Sequence, residues 1–488
     1  MTPSARLAAA IELLEAMEAE SGRPADMVAS AFLKARRYIG SKDRKAISER
    51  VWGILRRRAR LDWWLARTEL AAWPRNRLLA DLALHDRLTP EQVAALFAGE
   101  GYGTGKLSPD EWTLLQGLKG RDLFHHDMPA WVRGEYPQWL EPALADAFGQ
   151  RLAVEMGALR DEAPVDLRVN RLAIDRDGAL ARLAADGLAA TPTPLSPLGL
   201  RLPARTQLAT QGAFRDGLVE VQDEGSQLVS LLADAQPGQA VCDYCAGAGG
   251  KTLALAAAMG NKGRLLALDV SAPRSERAAE RLRRAGIHNV TRRLLGPAND
   301  RWLRRQAAGF DRVLVDAPCS GSGTWRRNPD AKWRLSAERI DEVTALQADI
   351  LDRASRLVKP GGRLIYVTCS LLPVENENQV ASFLERHAEF APLPVAPLWA
   401  TLCDGDCPGD GGVLRLTPAA NGTDGFFCAI LSRTAAAPGE QRDHQGNDEQ
   451  GQEHQAQDLG DIQRRAGDRA EADHTGEQGD DQESRGPI

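Results

Sequence analysis

Two cysteines and one aspartate could do chemistry together if the fold brings them to one place. Cys369 stands in "YVTCS" (366–370), where an apolar run ends in Thr-Cys-Ser. Asp316, Pro318 and Cys319 stand in "DAPCSGSGT" (316–324), at the end of a second apolar run. A lone cysteine is most often a small core residue. Two thiols and a carboxylate at adjacent strand ends instead suit one type of reaction. Carbon 5 of a pyrimidine is a poor nucleophile toward a methyl donor, and thiolate attack on carbon 6 makes it enamine-like. A carboxyl group at N3 of cytosine assists, and the adduct collapses once carbon 5 has lost its proton.

A methyl donor needs a site, and "DYCAGAGGKT" (243–252) offers a glycine turn directly after a strand. A P-loop would need glycine where Cys245 stands, and a strict dinucleotide fingerprint would need Gly or Ala where Thr252 stands. What remains is a small-residue loop that lets backbone approach a nucleoside closely, with Lys251 adding a positive charge. S-adenosylmethionine, which has no phosphates, fits that description. Asp269, at the end of the next strand, is placed to accept hydrogen bonds from ribose hydroxyls.

These residues must be positioned by the elements around them. Apolar strand candidates at 240–244, 264–270, 289–295, 310–318 and 362–370 alternate with amphipathic helices such as 275–286 and 341–358. That alternation predicts an α/β, doubly wound, Rossmann-like parallel sheet, whose ligands bind beyond the carboxyl ends of its strands. Ahead of it, residues 1–150 carry helical periodicity and read as an all-α domain. Residues 160–220 read as a small α/β segment, 221–434 as the catalytic domain, and 435–488 as a disordered acidic tail.

Composition narrows the class. The chain of 488 residues exceeds what one core usually supports. It has no stretch of eighteen uninterrupted apolar residues, and its first helix is amphipathic, so neither a membrane span nor a signal peptide is expected. Seven cysteines in so long a chain argue for a reducing cytoplasm rather than a disulfide framework. Cys242 with Cys245, and Cys403 with Cys407, have spacings that could suggest zinc. A structural zinc site normally needs four such ligands and no histidine stands near either pair, so no metal is expected. The net charge of -6 hides an asymmetry: from Ala435 onward there are fourteen Asp/Glu against five Arg, so residues 1–434 are mildly basic. Eleven of the Lys/Arg lie between Lys34 and Arg60, against Asp43 and Glu49. That run suits either a phosphate-binding face or an ordinary basic surface.

Together "DYCAGAGGKT", "DAPCSGSGTWRRNPD" and "YVTCSLLPVENENQV" resemble the RNA (cytosine-5)-methyltransferase family, the group that includes bacterial ribosomal-RNA methyltransferases. "VEVQDEGSQLVS" (219–230) is similar to the lead-in to its first motif, and "TDGFFCAIL" (423–431) to its last strand. The match covers roughly 165–434. It is looser over 1–150, where the basic helices resemble the antitermination-factor-like RNA-binding domain of the ribosomal-RNA branch. The resemblance implies Cys369 as nucleophile, Cys319 as the thiol that helps release product, and Asp316 facing cytosine. It also implies that Cys245, Ala246, Gly247, Ala248, Gly249, Gly250 and Lys251, with Asp269 and Asp316, hold S-adenosylmethionine. The expected partner is RNA, ribosomal RNA in this branch, and the chain is expected to be a cytoplasmic monomer. Two departures stand out. Ala248 replaces the family's usual proline, which should loosen the turn. After the third strand the acidic residue that would approach adenine comes late, at Asp300, so no adenine contact is assigned.

Two other readings compete. A binding protein that has lost activity need not keep Asp316, Cys319 and Cys369 together, and all three are present. A nicotinamide-dependent dehydrogenase would need the glycine pattern that Thr252 breaks.

Overall fold

A computed structural model describes residues 1–435 except Glu69, Glu100, 204–207 and 297–300, and the side chain of Ala209. Asp300 and the acidic tail therefore lie outside the described residues. Residues 1–433 form one compact unit.

From Pro3 to Arg160 the described residues are helical, in ten α-helices. Local sequence sets several of the boundaries. In "TPEQV" and "SPDEW", Thr89 with Gln92 and Ser108 with Glu111 form reciprocal capping boxes, each with proline at the first helical position. The helices close around a core that includes Leu13, Val51, Leu61, Leu78 and Leu115. The last of them, Leu152–Arg160, extends the helical region past residue 150.

A four-stranded antiparallel sheet follows. It contains β1 (Val165–Val169), β2 (Thr191–Pro192), β3 (Gly199–Leu202) and β4 (Val219–Val221), in the order β2-β3-β1-β4. A helix over Arg176–Ala185, capped by Asp175, joins β1 to β2 and buries Ala179 and Leu183.

The second sheet is the doubly wound one. Its strands are β5 (Ala240–Asp243), β6 (Arg264–Asp269), β7 (Val290–Leu294), β8 (Phe310–Asp316), β9 (Val358–Thr368), β10 (Phe390–Leu393), β11 (Leu414–Leu416) and β12 (Phe426–Arg433). The order is β10-β12-β9-β8-β5-β6-β7, with β11 paired to β12. Strands β5 to β9 are mutually parallel, while β12 runs antiparallel beside β9. The inner strands are apolar on both faces because helices cover both sides, as a parallel sheet requires. The order reverses between β5 and β8, which makes that crevice the topological switch point where ligands bind.

Two strands end differently from their sequence limits. The run at 310–318 stops pairing at Asp316, and the run at 362–370 begins at Val358 and stops at Thr368. Both cysteines consequently sit on turns just beyond the strands. Thr368 ends β9 with its side chain: Oγ1 bonds Asn376 Oδ1 at 2.5 Å and accepts from the Ser370 amide at 3.2 Å.

Candidate active site

The ladder between β8 and β9 pairs Asp316 with Val367, and the Ala317 amide donates to the Val367 carbonyl at 2.9 Å. Cys319 and Cys369 thus leave neighbouring parallel strands at nearly the same height. Their sulfurs lie 3.3 Å apart, and both residues are half-buried. The hydrogen bond shared with Cys369, then burial, push the Cys319 thiol well above the ordinary thiol range. Two sulfurs this close cannot both ionise at moderate cost, so Cys319 keeps its proton.

A fully buried carboxylate to which the sequence assigned no role holds the two turns together. Glu375 Oε1 accepts from the Ser320 amide at 2.7 Å and from Gln347 Nε2 at 3.1 Å. Its Oε2 accepts from Ser320 Oγ at 2.5 Å and from Ser370 Oγ. Gln347, on the helix Ala337–Ser355, also donates to the Pro318 carbonyl at 3.0 Å, and Tyr366 Oη donates to the Glu375 carbonyl at 2.7 Å. The residue following each cysteine is therefore fastened to one anion. The available signal was an acidic residue closely following the Thr-Cys-Ser turn, in "VENEN".

Glycine closes the third side. Gly323 donates its amide to the Cys369 carbonyl at 2.9 Å, and a Cβ there would meet the Gly425 carbonyl oxygen at 2.3 Å. Only a residue without a side chain allows the cysteine turn to lie against the start of β12.

The glycine loop meets this centre through Lys251. Its Nζ donates to Asp316 Oδ2 at 2.6 Å and lies 5.4 Å from the Phe426 ring centroid. Burial alone would lower the ammonium pKa, but Asp316 and then Cys369 outweigh it, so the net shift is upward. Gly249, at φ 81°, caps the helix Gly250–Ala258 in the left-handed region, and a Cβ on it would meet Ala278 at 3.0 Å. The space beside Gly247 is open, with nothing within 4 Å of where its Cβ would be. Ala248, which replaces the usual proline, is braced: its carbonyl accepts from Arg281 Nη1 at 2.7 Å. Asp269, at the end of β6, accepts from the Gly247 amide at 2.8 Å and the Ser271 amide at 2.7 Å. Each of its oxygens retains a lone pair for a further donor. Because Asp316 engages the loop's own cation, this cradle suits a nucleoside better than a phosphate.

Asp243 and Thr252 lie beneath the loop. Thr252 Oγ1 donates to Asp243 Oδ2 at 2.6 Å, and Asp243 Oδ1 is buried without a partner among the described residues. Burial pushes this carboxyl up to about 7.

All the predicted site residues lie at the carboxyl end of the sheet, Asp269 at its β6 side and Cys369 at its β9 side. Of the first cysteine pair considered for zinc, Cys245 lies in the glycine loop and Cys242 inside the strand before it. Cys242 is fully buried in β5, and burial raises the Cys242 and Cys245 thiols well above the ordinary range. Among the described residues, the one group of side chains close enough to share an ion is His125, His126 and Asp127.

The basic run divides. Lys34, Arg37, Lys42 and Lys45 are exposed. Arg57 is bidentate on buried Asp81, at 2.7 and 3.2 Å, and Arg56 Nη1 donates to the Arg326 carbonyl at 2.5 Å. Part of this basicity therefore holds the fold together.

Among the described residues, no helix is long and apolar enough to cross a membrane. The family model for 16S rRNA methyltransferase RsmB/F matches residues 230–432, and that for the RsmF/B-like ferredoxin-like domain matches 136–209. Ribosomal RNA small subunit methyltransferase B of Pectobacterium carotovorum is 32% identical over 81% of this chain and 92% of its own length. The protein of that name from Escherichia coli O127:H6 is 31% identical over 80% and 91%. The crystal structure of PH0851 superposes with a TM-score of 0.70 at 27% identity, covering 89% of this chain and 99% of that one. A methyltransferase homolog protein from Pyrococcus horikoshii gives a TM-score of 0.53 at 28% identity, over 62% of this chain and 97% of its own. The relatives extend across the helical region as well as the doubly wound sheet, and the chain belongs to the 16S rRNA methyltransferase RsmB/F family.

Proposed function

We propose that this protein methylates carbon 5 of a cytosine in small-subunit ribosomal RNA through a covalent adduct between Cys369 and carbon 6. The observation that carries the reading is the pair of sulfurs 3.3 Å apart at the rim shared with Asp316 and Lys251. Membership of a family of 16S rRNA methyltransferases supports the choice of substrate.

Cys369 attacks carbon 6 as the thiolate. Asp316, held by Lys251, faces N3 as the carboxylic acid, gives it a proton as negative charge develops on the ring, and takes that proton back when the adduct collapses. Residues 245–251 and Asp269 would hold S-adenosylmethionine, which would supply an electrophilic methyl group for carbon 5. Once Cys369 is bonded to carbon 6 as a thioether it no longer opposes ionisation of Cys319, whose thiol loses its proton to solvent. The Cys319 thiolate then accepts the carbon-5 proton, and Cys369 leaves carbon 6 as the thiolate. Glu375 keeps the two sulfurs at working distance throughout. The thiols and carboxylate supply the nucleophile and the proton transfers, so the reaction needs no metal. Residues 1–433 form one unit containing every site residue, which supports action as a monomer. A ribosomal RNA substrate implies the cytoplasm.

The test is methyl transfer from labelled S-adenosylmethionine to 16S rRNA taken from cells lacking this protein. Bisulfite sequencing should then reveal a cytosine protected only when the protein is present. Label found on protein or on adenine, with no protected cytosine, would overturn the reading.

A further inference from the structure

Away from the thiols, a cavity of about 640 Å³ opens among the helices. Its wall carries five arginines, Arg56, Arg57, Arg60, Arg87 and Arg160, against two carboxylates, Asp122 and Asp161. Most of these charges also have structural partners. Arg57 shares Asp81 with Arg50, Arg60 Nε lies 2.7 Å from Glu135, and Arg87 lies 2.5 Å from Asp122. Glu135 is fully buried and also accepts from the amides of Ala59 and Arg60, at 2.8 and 3.2 Å.

Arg160 differs. Its Nη1 donates to the Arg133 carbonyl at 3.0 Å, and its Nε is buried with no hydrogen-bond partner among the described residues. Buried donors without partners are rare, since each costs about 1–3 kcal/mol. Close by, Lys332 is 2% exposed, and burial pulls its ammonium down to about 8, with Arg60, Arg56 and Arg160 adding to the effect against Glu135. Phe124, 49% exposed, is near both the Arg60 and Arg160 guanidiniums, whose carbons are 4.5 and 5.0 Å from its ring centroid. The positive charge gathered here exceeds what the surrounding carboxylates neutralise. A guanidinium cluster in a cavity is suited to an oxyanion able to accept several N–H donors at once.

We infer that this cavity holds a backbone phosphate of the RNA substrate, with Arg160 and Arg87 as its contacts. The inference rests on the proposed RNA substrate and adds a second contact to it, apart from the methyl-transfer centre. The cavity wall is tied to that centre's loop by Arg56, whose Nη1 reaches the carbonyl of Arg326, seven residues after Cys319.

The test measures binding of in-vitro transcribed 16S rRNA to the full chain as salt rises from ~50 to ~200 mM, a range over which phosphate contacts are steeply weakened. Arg160→Gln, and separately Arg87→Gln, should each flatten the logarithmic salt slope by about one. Each should raise KM for rRNA about tenfold and leave kcat at saturating rRNA unchanged. Arg160→Lys should keep the slope, and unchanged thermal midpoints would exclude misfolding. Lys262→Gln is the control, because it removes one exposed cation at the amino ends of the strands. The inference is overturned if both Gln variants keep the wild-type slope and KM, or if Lys262→Gln lowers the slope as much. The two readings fail separately. Wild-type protein that binds rRNA but methylates nothing would remove the proposed function, and the slopes would still judge the cavity.

Discussion

Lys251 Nζ lies 2.6 Å from Asp316 Oδ2, so the glycine loop and the end of β8 are joined by an ion pair whose lysine is almost wholly buried. In the proposed reaction the carboxyl group assigned to the base would thereby be oriented by the loop assigned to the cofactor. Lys251→Met should slow methyl transfer at saturating substrates about 100-fold, within the range general acid–base groups contribute. It should also cost about 2 kcal/mol of stability, since Asp316 loses a charged partner. Single-turnover kinetics and thermal unfolding check both. A variant with normal rates would mean Asp316 is positioned by something else.

The two thiols are separable by their adducts. Cys369→Ala should abolish transfer and leave no covalent RNA species. Cys319→Ala should trap protein on RNA as a band that survives denaturing electrophoresis, and only when S-adenosylmethionine is supplied, because the thioether collapses after carbon-5 deprotonation. If Cys369→Ala traps the adduct instead, the two roles are exchanged. If neither variant loses activity, both cysteines are packing residues.

Glu375 should matter without touching substrate. Glu375→Gln replaces one acceptor oxygen by an NH₂ group facing donors, at a site 0% exposed. A loss of about 2–3 kcal/mol in stability is expected, as for buried charged hydrogen bonds. Methyl transfer should slow more than binding of S-adenosylmethionine weakens, because the sulfurs move and the glycine loop does not. Equal losses in both would show that the effect is general unfolding.

Asp243 should give the protein a pH-dependent stability. Its folded-state pKa is raised to about 7 by burial, against about 3.9 for an unfolded aspartate. The folded chain therefore binds the extra proton between these values. The stability it contributes is fully present below about 4, is lost as pH rises toward about 7, and then levels off. The loss could reach ~4 kcal/mol. Asp243→Asn should flatten the fall in melting temperature between pH 5 and 7 (roughly that window). A wild-type profile in the variant would show that Asp243 is not the group responsible.

The parallel sheet was legible in the sequence because its inner strands are apolar on both faces and its strands are separated by amphipathic helices. Each of the candidates at 240–244, 264–270, 289–295, 310–318 and 362–370 corresponds to a strand, β5 to β9. That Cys319, Cys369 and Asp316 would surface at one rim followed from their position at strand ends, since parallel strands share a carboxyl edge. Strands β2, β10 and β11 were not read: they are two to four residues long, and so short a segment carries no periodicity.

Other features were decided by packing alone. The 3.3 Å between the sulfurs depends on the register that pairs Asp316 with Val367 and on Glu375 gripping both turns, and neither is a local property of "DAPCS" or "TCS". The division of the basic run into exposed cations and fold-bound arginines depends on where Asp81 and Glu135 come to lie, 24 residues beyond Arg57 and 75 beyond Arg60. Residue types and local periodicity determine which groups can react and which elements can form. Distances between groups far apart in sequence are set only when the core closes, because a side chain's partners across the fold leave no periodic trace in its own segment.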